Sequence, residues 1–402
     1  MKEEEVANPA VSPAELTFDP TTPEFRRDPY RFYRRLRESA PVFRNPAGGW
    51  LLSRHQDCAW ALQDTRLRNV EDIRCYPDAA GENSENGTAA GGDFAHIRGA
   101  VARALSPAVV RRFRPRVGQI VDELVDATLA AGAVDLVASL CHPLGAIVFC
   151  ELFGVPVGDR ELFRGWVDDI VQGVDVLLGV SAELAASRDA AMAAFSDYFR
   201  RLINARRADP AGDLLGELIA IADGDGGLTE EELVSSCVIL LITGHESTVN
   251  FVSNSVHALL THPDELARFR AEPDIGQVAI DELMRYCAPA NLVVRTAGTA
   301  IELDGHTIEE GEFVVPLLAA ANRDPDVFPD PERLDLTRTP NPHLAFGHGL
   351  HYCLGAALAR MEGLVALETL TRRAPALELT GEPEYKPTIG LRGLATLPVR
   401  AW

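Results

Sequence analysis

From residue 230 to 260 the residue pattern predicts a single helix, opening at Thr229-Glu-Glu-Glu232 and ending before His262-Pro263. Threonine followed three positions later by glutamate is a capping box, and acids in the first turn complement the helix dipole. About 31 residues would span roughly 46 Å, enough to cross a whole domain. Cys237 to Ile242 is continuously apolar, so that turn must be buried on every side. Thr243-Gly244-His245-Glu246-Ser247-Thr248 follows at once. Glycine inside a helix loses about 1 kcal/mol relative to alanine, and hydroxyls compete for backbone carbonyls. Such rule-breaking in a core marks a site or a kink. The plainer alternative is a polar kink closed by serine and threonine bonding back to the helix.

The rest of the chain is mainly helical. Helical periodicity covers 26–39, 96–132, 139–152, 159–208, 213–222, 263–270, 274–287 and 354–373. Short strands are expected at 42–44, 50–53, 312–316 and 394–399, with a hairpin over 301–308 turning at Asp304-Gly305. No strand–helix alternation or internal repeat is present. The expected architecture is one mainly α domain over 16–402 with a small β region, preceded by a flexible tail at 1–15. Residues 75–93 form a polar loop, either a lid or a disordered segment.

At 47% hydrophobic residues the chain has ample core for its 402 residues, yet no apolar stretch reaches the roughly 20 residues needed to cross a bilayer. The N-terminal Met-Lys-Glu-Glu-Glu-Val lacks signal-peptide character. Seven scattered cysteines without framework spacing fit a reducing cytoplasm. A net charge of −21 argues against nucleic-acid binding. Arg111, Arg112 and Arg114 nevertheless cluster, as at a solvated helix end.

Residues 346–355 read Phe-Gly-His-Gly-Leu-His-Tyr-Cys-Leu-Gly. Gly347, Gly349 and Gly355 allow sharp turns close to Cys353, and a helix beginning just beyond would favour its thiolate. A thiolate held by backbone N–H groups in an apolar loop suits the axial position of haem iron. A glycine-rich turn around a structural cysteine is the alternative. No second Cys/His cluster completes a zinc site with His348, His351 and Cys353.

With Phe346, Gly347, Gly349, His351, Cys353 and Gly355 all in place, the segment resembles the haem-binding loop of the cytochrome P450 family, Phe-Gly-x-Gly-x-His-x-Cys-x-Gly. The resemblance extends from about residue 16 to the end. It implies the P450 fold, a long distal helix and haem b held by Cys353. The 243–248 segment then matches the family's oxygen-binding groove, Ala/Gly-Gly-x-Asp/Glu-Thr. Gly244 would admit haem and dioxygen close to the backbone. Glu246 and Ser247, with Thr248 one position too late, would order water and relay two protons so that water rather than peroxide leaves. Serine replaces the usual threonine and lacks the methyl that holds its rotamer.

The same resemblance assigns Glu282, Arg285 and Arg333 to a buried scaffold network, although Glu282 and Arg285 alone, three apart on a helix, read as an exposed ion pair. It assigns His351, Arg295 and Arg98 to the haem propionates. Phe94 stands where a histidine is common, and His96, two residues out of register, is a possible substitute or a surface residue. Substrate-facing candidates are 75–93, residues around 170–185, Leu240, Thr243, Asn291, Leu292, Val294, Ile389 and Leu391. The implied activity is hydroxylation or epoxidation of a moderately apolar small molecule in natural-product biosynthesis. Oxidative coupling or desaturation is the alternative, and a non-catalytic haem sensor a further one. Electrons would come from NAD(P)H through a separate reductase and ferredoxin or flavodoxin, with Arg111, Arg112 and Arg114 as docking residues. A monomeric cytoplasmic enzyme is expected.

Overall fold

The Thr229 hydroxyl accepts from the Glu232 N–H at 3.3 Å, while the Glu232 carboxylate accepts from the Thr229 N–H at 2.7 Å. This closed capping box starts a helix over Glu230–Thr261. The computed structural model describes residues 19–46, 48–69, 89–173 and 181–401. Every residue from Thr248 to Val256 is buried, so the helix passes through the middle of the protein. Around it pack the helices His142–Leu152, Ala182–Ala208, Gly276–Cys287 and Ala356–Arg373. Two glycines permit that closeness: a Cβ on Gly244 would overlap the Phe149 ring, and one on Gly363 the Phe251 ring.

Expected helices split where sequence breakers stand. The 96–132 segment is Ala89–Ala104 followed by Pro107–Ala131, divided at Ser106-Pro107, and 159–208 is Arg160–Gly173 and Ala182–Ala208. Residues 89–93 are helical rather than loop, a correction that follows from the helix-forming Ala89 and Ala90 outweighing two glycines. The rest of the expected loop, 75–88, and the 1–15 tail lie outside the described residues. Among the described residues no helix is long and apolar enough to cross a membrane.

The β region is a five-stranded sheet in the order Val42–Arg44, Trp50–Leu52, Phe313–Pro316, Arg295–Ala297, Leu67–Asn69. Its pairs are antiparallel except Trp50–Leu52 with Phe313–Pro316. The hairpin Ile301–Ile308 turns at Asp304 and Gly305, both at positive φ (51° and 76°), as an Asp-Gly turn requires. The 394–399 strand is instead two, Leu394–Thr396 and Pro398–Arg400, in different sheets. The Asp135 carboxylate takes the Leu397 N–H between them at 2.8 Å.

Behind the core, Glu282 and Arg285 are both fully buried and joined by two bonds of 2.8 Å. The second cation is Arg338, not Arg333. Arg338 Nε lies 3.1 Å from both Glu282 oxygens, and Asn341 donates to the same carboxylate at 3.2 Å. The Arg333 side chain is exposed, and only its carbonyl joins the network, accepting from Arg285 at 3.0 Å. The turn after Pro331 brings the backbone inward and sends the Arg333 side chain out. Removing one partner of a buried pair strands the other. Glu282→Ala and Arg338→Ala should each destabilise by about 3–5 kcal/mol in urea unfolding, and Arg333→Ala by less than about 0.5 kcal/mol.

Candidate active site

In the 346–355 loop the Cys353 N–H donates to the Phe346 carbonyl at 2.9 Å. Gly347 and Gly349 sit at φ +71° and +68°, where a side chain would be strained. Gly355 does not (φ −84°); it lies beside the sulfur, and a Cβ there would stand 3.9 Å from Cys353 Sγ. The Ala356–Arg373 helix follows directly. Of the six described cysteines five are buried and only Cys353 is exposed. Burial is nonetheless the largest influence on its thiol. That burial raises its pKa against the opposing Gly355 N–H and the charges of Arg98 and Arg360. The expected preference for thiolate is therefore not met by the loop alone; a metal cation at sulfur would supply it.

Three side chains of positive character border this loop. Arg98, on the Ala89–Ala104 helix, donates to the Tyr352 carbonyl at 2.5 Å. Arg295 is buried on the Arg295–Ala297 strand. His351 is depressed to about 4 by burial, then by Arg295 and Arg98. An anion here would relieve that mutual repulsion. His96 takes no part: it is exposed and its Nε2 lies 3.2 Å from the Gly227 carbonyl, on the far side of its helix.

On the long helix Thr243 is exposed, and Leu240 and Ser247 are half-buried, forming one face. Ser247 donates to the Thr243 carbonyl at 2.6 Å, and Thr243 to that of Ile239 at 2.8 Å. The back-bonding alternative thus holds for both hydroxyls, at positions that still face open space. Gly244 serves the packing against Phe149 described above rather than the open face. Thr248 points the other way, donating to the Glu362 carboxyl at 3.0 Å; a step of about 100° takes it off the Ser247 face. Glu246 is buried with Lys386 Nζ at 2.6 Å and Asn250 Nδ2 at 3.2 Å. His245 is buried and depressed to about 4, chiefly by burial, so it is neutral at pH 7.

The sequence pattern did not expose Lys386, Asn250 or Glu362. Asn250 alone had a local signal, one turn after Glu246. Among the substrate-facing candidates, Leu292 and Ile389 are core residues packed with Tyr33, Leu36 and Leu51, and Val294 packs against the same cluster. Asn291 is buried, with its N–H bonded to the Gly390 carbonyl at 2.9 Å and its amide to the Ile389 carbonyl at 3.2 Å. Asn291 thereby clamps the 388–391 turn, and with Ile389 it borders a small cavity beside Lys386 and Arg392. Leu391 stays half-buried, bridged to Ala290. Arg111, Arg112 and Arg114 are exposed on the Pro107–Ala131 helix, with Glu217 at 3.3 Å from Arg112 and Glu368 at 4.0 Å from Arg114.

The cytochrome P450 family model matches residues 102–374. The chain belongs to the cytochrome P450 family. It is similar to the cytochrome P450 monooxygenase PikC of Streptomyces venezuelae, 40% identical over 97% of this chain and 95% of the relative. It is 36% identical to 6-deoxyerythronolide B hydroxylase of Saccharopolyspora erythraea, over 94% of this chain and 96% of that one. P450BioI, solved with a fatty-acid-ligated acyl carrier protein, superposes with a TM-score of 0.85 at 34% identity, covering 94% of this chain and all of that chain (100%). The chain is a P450 monooxygenase, whose cofactor is haem iron with a thiolate ligand and whose co-substrate is dioxygen. The residues present fit that group: Cys353 is the exposed sulfur among the described cysteines, and the N–H donors of Arg98, Arg295 and His351 bordering it are of the kind that carboxylates take.

The buried Glu362 gives the site a pH signature. Burial raises its carboxyl from 4.5 to about 8 against the opposing Thr248 bond. Its folded pKa exceeds the unfolded one, so the stability is fully present below pH 4.5 and is lost as pH rises toward 8. Glu362→Gln keeps a partner for Thr248 but removes the titration. Its urea-unfolding free energy should lack a fall of about 1.4 kcal/mol per pH unit that the parent shows across this window.

Proposed function

We propose that this P450 hydroxylates or epoxidises a moderately apolar small molecule in natural-product biosynthesis. The observation that carries the reading is the pairing of an exposed Cys353 with an open Thr243–Ser247 turn backed by the buried Glu246–Lys386 pair. A haem bound through Cys353 supplies dioxygen activation. Around it, Arg98, Arg295 and His351 hold the propionates by charge-assisted hydrogen bonds. Leu240 and Thr243 present a mixed apolar and polar face to the substrate. Ser247 orders water over the reacting atoms by giving up its bond to the Thr243 carbonyl. Glu246, fixed by Lys386 and Asn250, accepts a hydrogen bond from this water and so orients the chain along which protons pass. The hydroxylase and monooxygenase among the relatives support oxygen insertion.

A screen of apolar small molecules for a low- to high-spin shift of the haem absorbance should find the substrate class. Turnover under labelled dioxygen should then place one labelled oxygen atom in the product; unlabelled product under tight coupling would transfer the reading to desaturation or coupling. Ser247→Thr should release less peroxide per product than the parent, because its methyl restricts the rotamer. Equal leakage would show that serine performs the relay unaided.

Electrons come from NAD(P)H through a reductase and a ferredoxin or flavodoxin, in a cytoplasmic setting. Arg111, Arg112 and Arg114 are the docking cations, since their surface pairs at 3.3 and 4.0 Å are weak. Reversing all three charges should slow ferredoxin-supported turnover at low salt without altering the substrate-induced spin shift.

A further inference from the structure

Beside the last turns of the long helix lies a cleft of about 480 Å³, bordered by the N-terminal segment and the C-terminal hairpin. It shares no residue with the Cys353 loop or the Thr243–Ser247 face. Asn254, its first lining residue on the helix, lies roughly 10 Å beyond Ser247 along the axis. The volume falls within the range of small-molecule sites.

Its floor holds two guanidinium groups clamped by aromatic rings. Arg323 is 5% exposed and sits 4.0 Å from the centres of both the Tyr30 and Tyr286 rings. Arg392 lies 4.5 Å from the Tyr385 ring centre and 5.8 Å from that of Tyr30. Nε of each arginine is buried without a hydrogen-bond partner. The two acids of the lining are already engaged: Asp28 with Arg31 at 2.9 Å, and Glu332 with Arg34 at 2.9 Å and with Arg323. Arg392 donates to the Arg27 carbonyl at 3.1 Å and hydrogen-bonds the Tyr385 side chain, and no carboxylate pairs with it among the described residues. Its charge also helps depress the neighbouring His257, after burial.

The lining thus carries four arginines against two acids in a chain whose net charge is −21. A half-buried cation without a counter-charge is costly. A rigid guanidinium on an aromatic face is instead preorganised for an oxyanion, which it can meet through two parallel N–H donors. We propose that this cleft is a second ligand site, which takes the phosphate or carboxylate end of a small molecule on Arg392 with Arg323 fixed beneath it. The tyrosine rings would hold the body of the molecule.

The test uses the haem-loaded protein, in which Arg98, Arg295 and His351 are engaged by the cofactor, with inorganic phosphate and benzoate as separate calorimetric probes. Saturable one-to-one binding of either is expected, and which one binds tells a phosphoryl from a carboxylate ligand. Arg392→Gln should weaken it about tenfold or more, the loss of a charge-assisted hydrogen bond. Because Arg392 also ties down Arg27, His257→Glu provides a second variant. It places an acid in the cleft on a helix that glutamate suits, and should abolish binding while circular dichroism and the haem spectrum stay unchanged. No saturable binding of either probe, or binding that survives His257→Glu in the folded protein, overturns the proposal.

Discussion

The site depends on one crossing, where the long helix meets the helix that follows Cys353. Thr248 donates to Glu362 there, and Phe251 fills the space that Gly363 leaves open. The contact is dry enough that a carboxyl inside it keeps its proton up to about pH 8. Ala356 to Glu362 is roughly 9 Å of helix, so the crossing sets how far the sulfur stands from the Thr243–Ser247 turn. Ser247 precedes Thr248 directly. Anchoring Thr248 in the crossing therefore fixes the rotation of the long helix and turns Ser247 toward the open side.

A polar segment in a buried helix survives only if each group finds a partner, and those partners come from far along the chain. Glu246 pairs with Lys386, 140 residues later, and Lys386 also donates to the Asn250 side-chain oxygen Oδ1 at 3.1 Å. A buried pair of this kind adds little net stability compared with apolar packing. Its value is positional: the carboxylate is held in one place, one residue before Ser247. Lys386 belongs to the same hairpin whose 388–391 turn is clamped by Asn291, so the placement of Glu246 rests on a rigid support.

Features encoded by neighbours could be read from the chain: the Thr229–Glu232 box, the Asp304-Gly305 turn and the cysteine loop all follow from residues within about ten positions of one another. Arg98, assigned by its local offset from Ser106-Pro107, reaches the cysteine loop through its bond to the Tyr352 carbonyl. Arg338 was not legible, because its approach to Glu282 depends on how a loop closes over 56 residues, which no spacing rule encodes. The orientation of Thr248 was legible, since one position is a step of about 100° off the Ser247 face, but for Leu292 and Ile389 apolar type cannot tell pocket wall from core. Residue type sets what chemistry is available. Rotation about the helix axis decides which of it is used.

Charge sharpens that distinction. With 59 acidic and 38 basic residues, an unmatched buried cation in this chain stands against the average and asks for a cause. Arg285 and Arg338 have theirs in Glu282, and Lys386 in Glu246. Around His351 the charges that depress it, after burial, are those of Arg295 and Arg98. Arg392 poses a related physical problem in a different cleft, with aromatic clamping and no carboxylate paired with it among the described residues. A desolvated charge is costly wherever it sits, and a guanidinium held rigid on aromatic faces is an arrangement that an anionic ligand would relieve.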